Sequence, residues 1–162
     1  MTSEHRESLR LPYQPDELFD LVSDVRAYPK FIPLISALRV IRESVVEGVG
    51  ELDAEARVQF RFVRESFTTR VLLERPARTI KVSYLSGPFH DLANEWRFAE
   101  LADGSTEVSF WIRYRFRNPV LNALMDASRS RAIRYLIERF REEAARRYQP
   151  VESDTDRLGQ EA

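Results

Sequence analysis

The chain has 162 residues, with 25 lysines and arginines against 26 aspartates and glutamates, and a formal net charge of -1. This length allows one domain with a sizeable core, and the near-neutral charge argues against a general electrostatic partnership with DNA or with an anionic membrane. The absence of cysteine excludes disulfides, thiolate nucleophiles and cysteine metal ligands.

Both ends of the chain are polar. The first ten residues lack the apolar segment of a signal peptide, and no run approaches the ~18 apolar residues that a membrane span requires. We therefore expect a cytoplasmic protein, with peripheral contact at the inner membrane left open. Residues 149–162 include Pro150 and Gly159 and lack apolar periodicity, which predicts a disordered tail after a single domain over residues 1–148.

The predicted elements begin with a short strand over residues 8–11 and two short helices. Pro12 ends the strand, and Pro15 stands where the first turn of a helix tolerates proline. Apolar residues then recur at helical spacing, which predicts a first helix over residues 15–25. A second helical piece over residues 30–36 is strongly apolar and lies between Pro29 and Pro33.

From residue 37 onward apolar and polar residues alternate with a period of two, and turn signals separate about six runs of this kind. Such alternation is typical of antiparallel strands with one apolar and one solvated face. The alternation predicts an inner face that carries the aromatic residues Phe60, Phe62, Phe67, Tyr84, Trp96, Phe98, Phe110, Tyr114 and Phe116. Thr69 and Asn94 are polar exceptions on this face, and buried polar groups need hydrogen-bond partners.

After Pro119 the pattern returns to a helical one. An apolar stripe and an arginine-rich opposite face predict one helix over residues 119–148, about 45 Å long at ~1.5 Å per residue. A twisted sheet buries its apolar face economically under such a helix. The order predicts an α+β fold in which a curved antiparallel sheet of about seven strands wraps on the C-terminal helix and leaves a cavity between them.

Catalytic and metal-binding motifs are absent from the sequence: it has no HExxH pair, no phosphate-binding glycine loop and no GxSxG elbow. Glu65 and Glu95 flank aromatic residues and are candidates for an acid or base in a pocket, but a solvated strand face or an ion pair with arginine is the simpler interpretation. His90 follows Pro88-Phe89 in a turn, where an exposed histidine is the simpler state. We predict a protein that is not an enzyme.

Four blocks of the chain form a specific combination: Leu11-Pro12-Tyr13 with Leu18-Phe19-Asp20-Leu21-Val22, Tyr28-Pro29 with Phe31-Ile32-Pro33, Arg64-Glu65-Ser66-Phe67, and Gly87-Pro88-Phe89 with Leu92, Asn94, Trp96 and Phe98. With these blocks, residues 8–148 resemble the coenzyme-Q-binding START-like proteins of the polyketide cyclase/dehydrase (SRPBCC) superfamily, which also includes ribosome-association toxins of toxin–antitoxin systems. Members often carry a tryptophan after the proline that corresponds to Pro33, whereas Leu34 follows here.

The resemblance implies a helix-grip (START/Bet v 1-like) fold and binding of ubiquinone or a related isoprenoid lipid, without a catalytic cofactor, in support of respiration or quinone synthesis. In this interpretation the isoprenoid tail lies along the C-terminal helix and the ring lies near Tyr84, Phe89 and Trp96. The short apolar helix, Phe31 to Ile35, forms a lid or an edge that touches the membrane. The candidate ligand-binding residues are Phe31, Leu34, Ile35, Phe60, Phe62, Phe67, Tyr84, Phe89, Trp96, Phe98, Leu121, Leu124 and Met125.

Two alternatives stay open at this point. The first is a toxin-like inhibitor of translation initiation that binds a ribosomal subunit through the arginines of the C-terminal helix. The second is an enzyme of the aromatase/cyclase type, which requires an inward-facing acid–base pair that only Glu65 or Glu95 would supply.

Overall fold

A seven-stranded antiparallel sheet with strand order β1-β7-β6-β5-β4-β3-β2 dominates the computed structural model, which describes residues 2–61 and 63–152. The strands are β1 (Ser3–Leu11), β2 (Ile35–Val46), β3 (Val49–Phe60), β4 (Val63–Glu74), β5 (Thr79–Ser86), β6 (Phe89–Glu100) and β7 (Thr106–Phe116). Strands β2 to β7 follow one another as neighbours because short turns connect antiparallel strands. The predicted α+β helix-grip architecture is confirmed.

The described residues also form four α-helices: α1 (Pro15–Ser23), α2 (Tyr28–Phe31), α3 (Pro119–Ala127) and α4 (Arg129–Arg147). Helix α1 starts at Pro15 with a capping box formed by Gln14 and Glu17, and it buries Leu18 and Phe19 against the sheet. A 3₁₀ turn over Val25–Ala27 links α1 to α2. None of the described helices is both long enough and apolar enough to cross a membrane.

Three predicted boundaries near the start of the chain were wrong. Strand β1 begins at Ser3 instead of residue 8, because Ser3 pairs with Tyr114 of β7 and the ladder continues from there to Leu11. Helix α1 ends at Ser23, since Asp24 leaves the helical conformation. The second helical piece is Tyr28–Phe31, and Ile35 already belongs to β2.

The predicted single C-terminal helix is two helices. Asn118 caps α3 by accepting hydrogen bonds from the backbone amides of Val120 and Leu121, and the helix ends at Ser128. The Ser3 hydroxyl donates to the Asp126 carboxylate at 2.6 Å and so joins the last turn of α3 to β1. This contact depends on a residue 123 positions away, so the local sequence carries no signal for the break.

The sheet has two ends that differ in what covers them. The α1 end holds the β2–β3, β4–β5 and β6–β7 turns together with α1, and Phe19 and Leu18 pack there in the main core. The α3 end holds the β3–β4 and β5–β6 turns, the end of β7, α3 and the start of α4. Helix α4 runs from the α3 end to the α1 end, where Arg147 contacts Asp24.

The β3–β4 hairpin extends past its neighbour at the α3 end. Phe60 pairs with Val63 at the hairpin tip, whereas β4 and β5 pair only from Thr68 onward. Phe60 is therefore 43% exposed, because the sheet and α4 do not extend over the tip. The prediction that it packs inside the fold is wrong. The predicted inward position of Phe62 falls outside the described residues.

The predicted tail is described only in part. Gln149 to Glu152 are within the described range, and the Val151 amide donates to the Pro12 carbonyl at 2.7 Å. Residues 153–162 lie outside the described residues.

Candidate functional site

A cavity of about 320 Å³ lies between the inner face of the sheet and helix α4. This volume is at the lower end of the ~300–1,000 Å³ range of small-molecule sites. Its wall residues from the first half of the chain are Val22, Val25, Tyr28, Ile32, Leu34, Ile35, Leu38, Ala54, Ala56, Phe67, Thr69, Val71, Ile80 and Val82. Those from the second half are Phe89, Leu92, Asn94, Trp96, Phe110, Ile112, Tyr114, Phe116, Met125, Arg129, Ala132, Ile133, Leu136 and Phe140.

Strand alternation and helix periodicity explain this wall. Phe67, Thr69 and Val71 are successive inward positions of β4, and Ile133, Leu136 and Phe140 recur at helical spacing on α4. The small side chains Ala54 and Ala56 of β3 leave space opposite α4. The cavity thus arises where a single helix covers a curved sheet and the residues between them are short.

Trp96 forms one aromatic side of the cavity. Its ring centroid lies 4.8 Å from that of Phe110 and 5.1 Å from that of Phe140, both in edge-to-face arrangements. Phe140 in turn packs edge-to-face on Tyr28 and Phe31. Such contacts hold the rings in fixed orientations, so Trp96 presents a rigid surface to a planar ligand.

Phe89 forms a second aromatic cluster at the α3 end. It packs on Phe67, Tyr84 and Phe116 with ring centroids 5.4, 5.6 and 4.4 Å away. Gly87, in the β5–β6 turn, has φ +138°, and a Cβ there would come within 2.6 Å of the Phe67 Cβ. Glycine at this position therefore allows the turn to approach β4 and place Phe89 over Phe67.

Two polar side chains face the middle of the cavity. The Asn94 amide donates to the Trp111 carbonyl at 2.8 Å and its oxygen accepts from the Trp96 indole N–H at 3.0 Å. The Thr69 hydroxyl, on a residue that is 8% exposed, has no hydrogen-bond partner within the described part of the chain. Because this hydroxyl faces the cavity and is not used within the described protein, Thr69 is the wall group best placed to bind a polar atom of a ligand.

The remaining polar groups of the wall lie near the two ends of the cavity. The Tyr28 hydroxyl donates to the Val22 carbonyl, and burial raises the pKa of this phenol, with a further contribution from Asp24. Burial also raises the pKa of Tyr114, which lies near Ser3 and Asp126. Both phenols are therefore protonated at neutral pH and are not bases.

Arg129 is the one charged residue on the cavity wall among the described residues. Its guanidinium lies 3.2 Å from the Asp126 carboxylate, which also accepts a hydrogen bond from Ser3. The side chain is thus neutralised locally at the junction of α3 and α4. No described group of three or more His, Asp or Glu side chains is arranged to hold a metal ion.

The structure places only part of the predicted ligand-binding set on the cavity wall. The wall contains Leu34, Ile35, Phe67, Phe89, Trp96 and Met125. Phe31 packs behind Tyr28 and Phe140. Tyr84 lies behind Phe89, whose backbone amide donates a hydrogen bond to the Tyr84 hydroxyl. A role in ligand binding is still a prediction for all of these residues.

Besides the exposed Phe60, three predicted positions lie away from the wall. Phe98 is on the inner face, but α1 covers it and it packs on Phe19 with the ring centroids 6.2 Å apart. Leu121 and Leu124 belong to α3, which has no buried residue. The break at Ser128 gives α3 a different direction from α4, so the apolar side of α3 does not continue the apolar side of α4 that covers the cavity. Their predicted contact with an isoprenoid tail inside the cavity is therefore not supported by their positions.

Sequence reasoning missed several wall residues. Ile133, Leu136 and Phe140 belong to the apolar stripe that predicts the C-terminal helix, and the placement of this stripe opposite the strands was the available signal for them. Tyr28 and Arg129 carried no such signal, because their positions depend on how α2 and the α3–α4 junction pack. Glu65 and Glu95 are not on the wall, and Glu95 instead accepts from Arg97 at 2.5 Å.

Residues 11–141 match the family described as "Polyketide cyclase / dehydrase and lipid transport". The ribosome association toxin RatA of Pseudomonas aeruginosa is 30% identical over 91% of this chain and 99% of that protein. The mitochondrial coenzyme Q-binding protein coq10 of Schizosaccharomyces pombe is 26% identical over 69% of this chain and 68% of that protein.

Two solved structures are similar over most of the chain. The 18 kDa protein CC1736 from Caulobacter crescentus is 44% identical, with a TM-score of 0.75 over 89% of this chain and 97% of that one. The Zhui aromatase/cyclase from a Streptomyces species has a TM-score of 0.79 over 92% of this chain and 97% of that one. Since its identity is 16%, this second likeness shows the fold alone.

Proposed function

The chain belongs to the polyketide cyclase / dehydrase and lipid transport family, and from this membership we propose that it is a non-enzymatic carrier of a hydrophobic lipid of the ubiquinone type. The lipid's ring occupies the cavity between the sheet and α4. The carrier supplies or protects quinone for respiratory electron transport or for quinone synthesis.

The observation that carries this proposal is the apolar cavity with one unpartnered hydroxyl. Trp96 and the Phe89 cluster offer flat aromatic surfaces to a quinone ring, and Thr69 lies on the same wall. A quinone carbonyl accepts hydrogen bonds but donates none, so it is complementary to a free hydroxyl. The similarity to a coenzyme Q-binding protein supports the same ligand class.

The chemistry of the wall supports binding over catalysis. Within the described residues no Asp, Glu or His lines the cavity, and the two wall phenols have raised pKa values. A cyclase requires an acid and a base within reach of its substrate. Thr69, Asn94 and the neutralised Arg129 are suited to orienting a ligand rather than to transferring protons.

A substitution that fills the cavity with a larger side chain tests whether quinone binds there. Ala132 lines the cavity from α4, whereas Ala145 lies on the exposed face of the same helix. We expect Ala132→Phe to weaken binding of a short-tailed ubiquinone at least tenfold, because the added ring occupies the space of the quinone, and Ala145→Phe to leave binding unchanged. Quenching of Trp96 fluorescence in a Trp111→Phe background reports the binding, since Trp111 lies outside the cavity.

Two outcomes would contradict the proposal. One is a wild-type protein that takes up no quinone and contains none when it is extracted from its own host. The other is an Ala132→Phe protein that is folded, as judged by circular dichroism, and still binds quinone with wild-type affinity.

The similarity to a ribosome association toxin over nearly the whole chain favours a second candidate, which is inhibition of translation by binding to a ribosomal subunit. This function predicts that overproduction lowers the fraction of joined ribosomes in sucrose gradients and that salt weakens the interaction. Ala132→Phe separates the two candidates, because filling the cavity leaves the exposed arginines in place.

A further inference from the structure

The charges of the described residues that have no ion-pair partner are distributed unevenly between the two ends of the molecule. Exposed arginines with no carboxylate within 4.0 Å are found on the β3–β4 hairpin, at the end of β7 and in the first turns of α4. These arginines are Arg57, Arg61, Arg64, Arg115, Arg117, Arg131 and Arg134. All of them belong to the α3 end.

The α1 end has the opposite character. Its arginines are held by carboxylates, for example Arg10 by Asp103 at 2.7 Å and Arg75 by Asp20. Carboxylates without an ion-pair partner are found at this end on Glu47, Glu74 and Glu107, whereas Glu65 is the exception at the α3 end. The two lysines belong to neither group, since Lys30 is on α2 and Lys81 is in the middle of β5. A chain of net charge -1 therefore has one positive end.

The same end exposes apolar side chains. Val120 and Leu124 of α3 are 78% and 37% exposed, although Met125 of the same helix contacts the cavity. Phe60 is exposed at the hairpin tip and has the Arg61 guanidinium 5.3 Å above its ring. Leu85, beside the β5–β6 turn, is also exposed. An apolar surface interleaved with arginines is typical of segments that bind an anionic membrane surface.

The α1 end shows that exposed apolar residues alone do not identify a membrane-binding surface. Val46 and Val49 are 75% and 48% exposed, but they flank Glu47 in an acidic hairpin. Among the residues that the structure describes, only those of the α3 end combine exposed apolar side chains with unpartnered positive charge. An RNA partner would require only the arginines, and it would not explain the exposed apolar residues between them.

We propose that the α3 end is a docking surface for an anionic phospholipid bilayer. The arginines bind the headgroups, Phe60, Leu85, Val120 and Leu124 enter the boundary between headgroups and acyl chains, and α3 lies between the cavity and the membrane. The location differs from the short apolar helix, residues 31–35, which the sequence suggested as a lid or membrane-touching edge. This inference goes beyond the proposed binding of a lipid in the cavity. Vesicle binding and quinone binding in solution are measured separately, so a negative result in one does not imply a negative result in the other.

The experiment is flotation of the full chain with vesicles of phosphatidylcholine alone or with an equal amount of phosphatidylglycerol. We expect binding only to the mixed vesicles, and weaker binding as salt increases. Arg131→Gln/Arg134→Gln should lower the partition about 25-fold, because each basic residue near such a surface contributes about fivefold. The control Arg6→Gln/Arg39→Gln removes the same charge from exposed sites that have carboxylate partners and should change it less than about twofold.

A second pair of variants tests the apolar contribution. Val120→Ser/Leu124→Ser should lower the partition at least about tenfold through loss of inserted apolar surface. Val46→Ser/Val49→Ser removes a similarly exposed pair at the α1 end and should have no effect. Unchanged urea midpoints establish that all four proteins are folded.

Three results would overturn the proposal. The first is equal binding to neutral and anionic vesicles, and the second is an equal loss of binding in the test and control variants. The third is tight binding to ribosomal RNA at physiological salt without vesicle binding, with loss in the arginine variant and not in Val120→Ser/Leu124→Ser. That result would identify the arginines as a nucleic-acid surface.

Discussion

Asn94 and Thr69 occupy the same cavity wall but differ in how their hydrogen-bonding groups are satisfied. Asn94 uses its amide to hold Trp96 and the Trp111 carbonyl, so it contributes to the shape of the unliganded protein. The Thr69 hydroxyl has no partner among the described residues and faces the cavity. It can therefore donate a hydrogen bond to a ligand without giving up a bond within the protein.

Thr69→Val tests this difference, since valine has nearly the same shape and lacks the hydroxyl. We expect quinone affinity to fall about 2–12-fold, the equivalent of one hydrogen bond of about 0.5–1.5 kcal/mol, with no loss in the free energy of unfolding. Fluorescence titration and urea unfolding measure the two quantities. Thr68→Val, on the opposite face of β4, is the control. A Thr69→Val protein that binds quinone as tightly as the wild type would assign the ligand other partners.

The sequence predicted individual site residues well only where strand alternation was sufficient. Phe67 and Trp96 line the cavity because their inward positions lie under α4. Phe60 and Phe98 occupy the same inner phase, but one extends beyond the sheet and the other lies under α1. Alternation identifies the face of a residue, whereas its position along the cavity depends on where the helices cross the sheet.

Helices α1 and α3 have the same length but differ in how much apolar surface they bury. Each has nine residues and begins with proline. Helix α1 buries Leu18, Phe19, Leu21 and Val22, whereas α3 buries none of its residues. Since tertiary burial provides most of the stability of short helices, α3 has much less to hold it in the folded conformation.

Hydrogen exchange should show this contrast directly. We expect the backbone amides of α3 to exchange at least about tenfold faster than those of α1, because local opening is easier where few apolar contacts are lost. Added ubiquinone should slow exchange in α3 through Met125 and leave α1 unchanged, so that α1 serves as the internal control. Equal protection of the two helices in the free protein would contradict this expectation.

The break between α3 and α4 shows why this element could not be predicted. Ser128 and its neighbours include no proline or glycine, and the apolar stripe continues in register from Met125 to Ala132. The contact that stabilises the bend joins Asp126 to Ser3, at the other end of the chain. Local periodicity predicts a helix, while its straightness depends on distant residues.

For the whole molecule, the antiparallel sheet was predictable because turns and alternation are local signals, and the overall charge was available from composition. The separation of unpartnered charges toward the two ends was not, because it depends on which arginines find a carboxylate after folding. A net charge of -1 argues only against a general electrostatic partnership, and the arginine-rich face of the C-terminal helix left a local basic patch open. The folded distribution leads to a different expectation for the α3 end.

The size of the cavity limits how much of a lipid it contains. A cavity of about 150 Å³ binds benzene, so about 320 Å³ holds a substituted ring and a short part of its tail. We expect quinone affinity to rise from no isoprene unit to about two and then to change less than about threefold up to four. Titration of a tail-length series measures this, and a tenfold gain with every unit up to four would require a larger enclosed space.

The cavity also has a mechanical consequence. A folded protein with an internal void occupies more volume than its hydrated unfolded chain, and unfolding eliminates the void. Hydrostatic pressure therefore acts against the empty form of this protein through the space between the sheet and α4. A ligand that fills this space removes most of that volume difference, so the loaded protein withstands pressures that unfold the empty one.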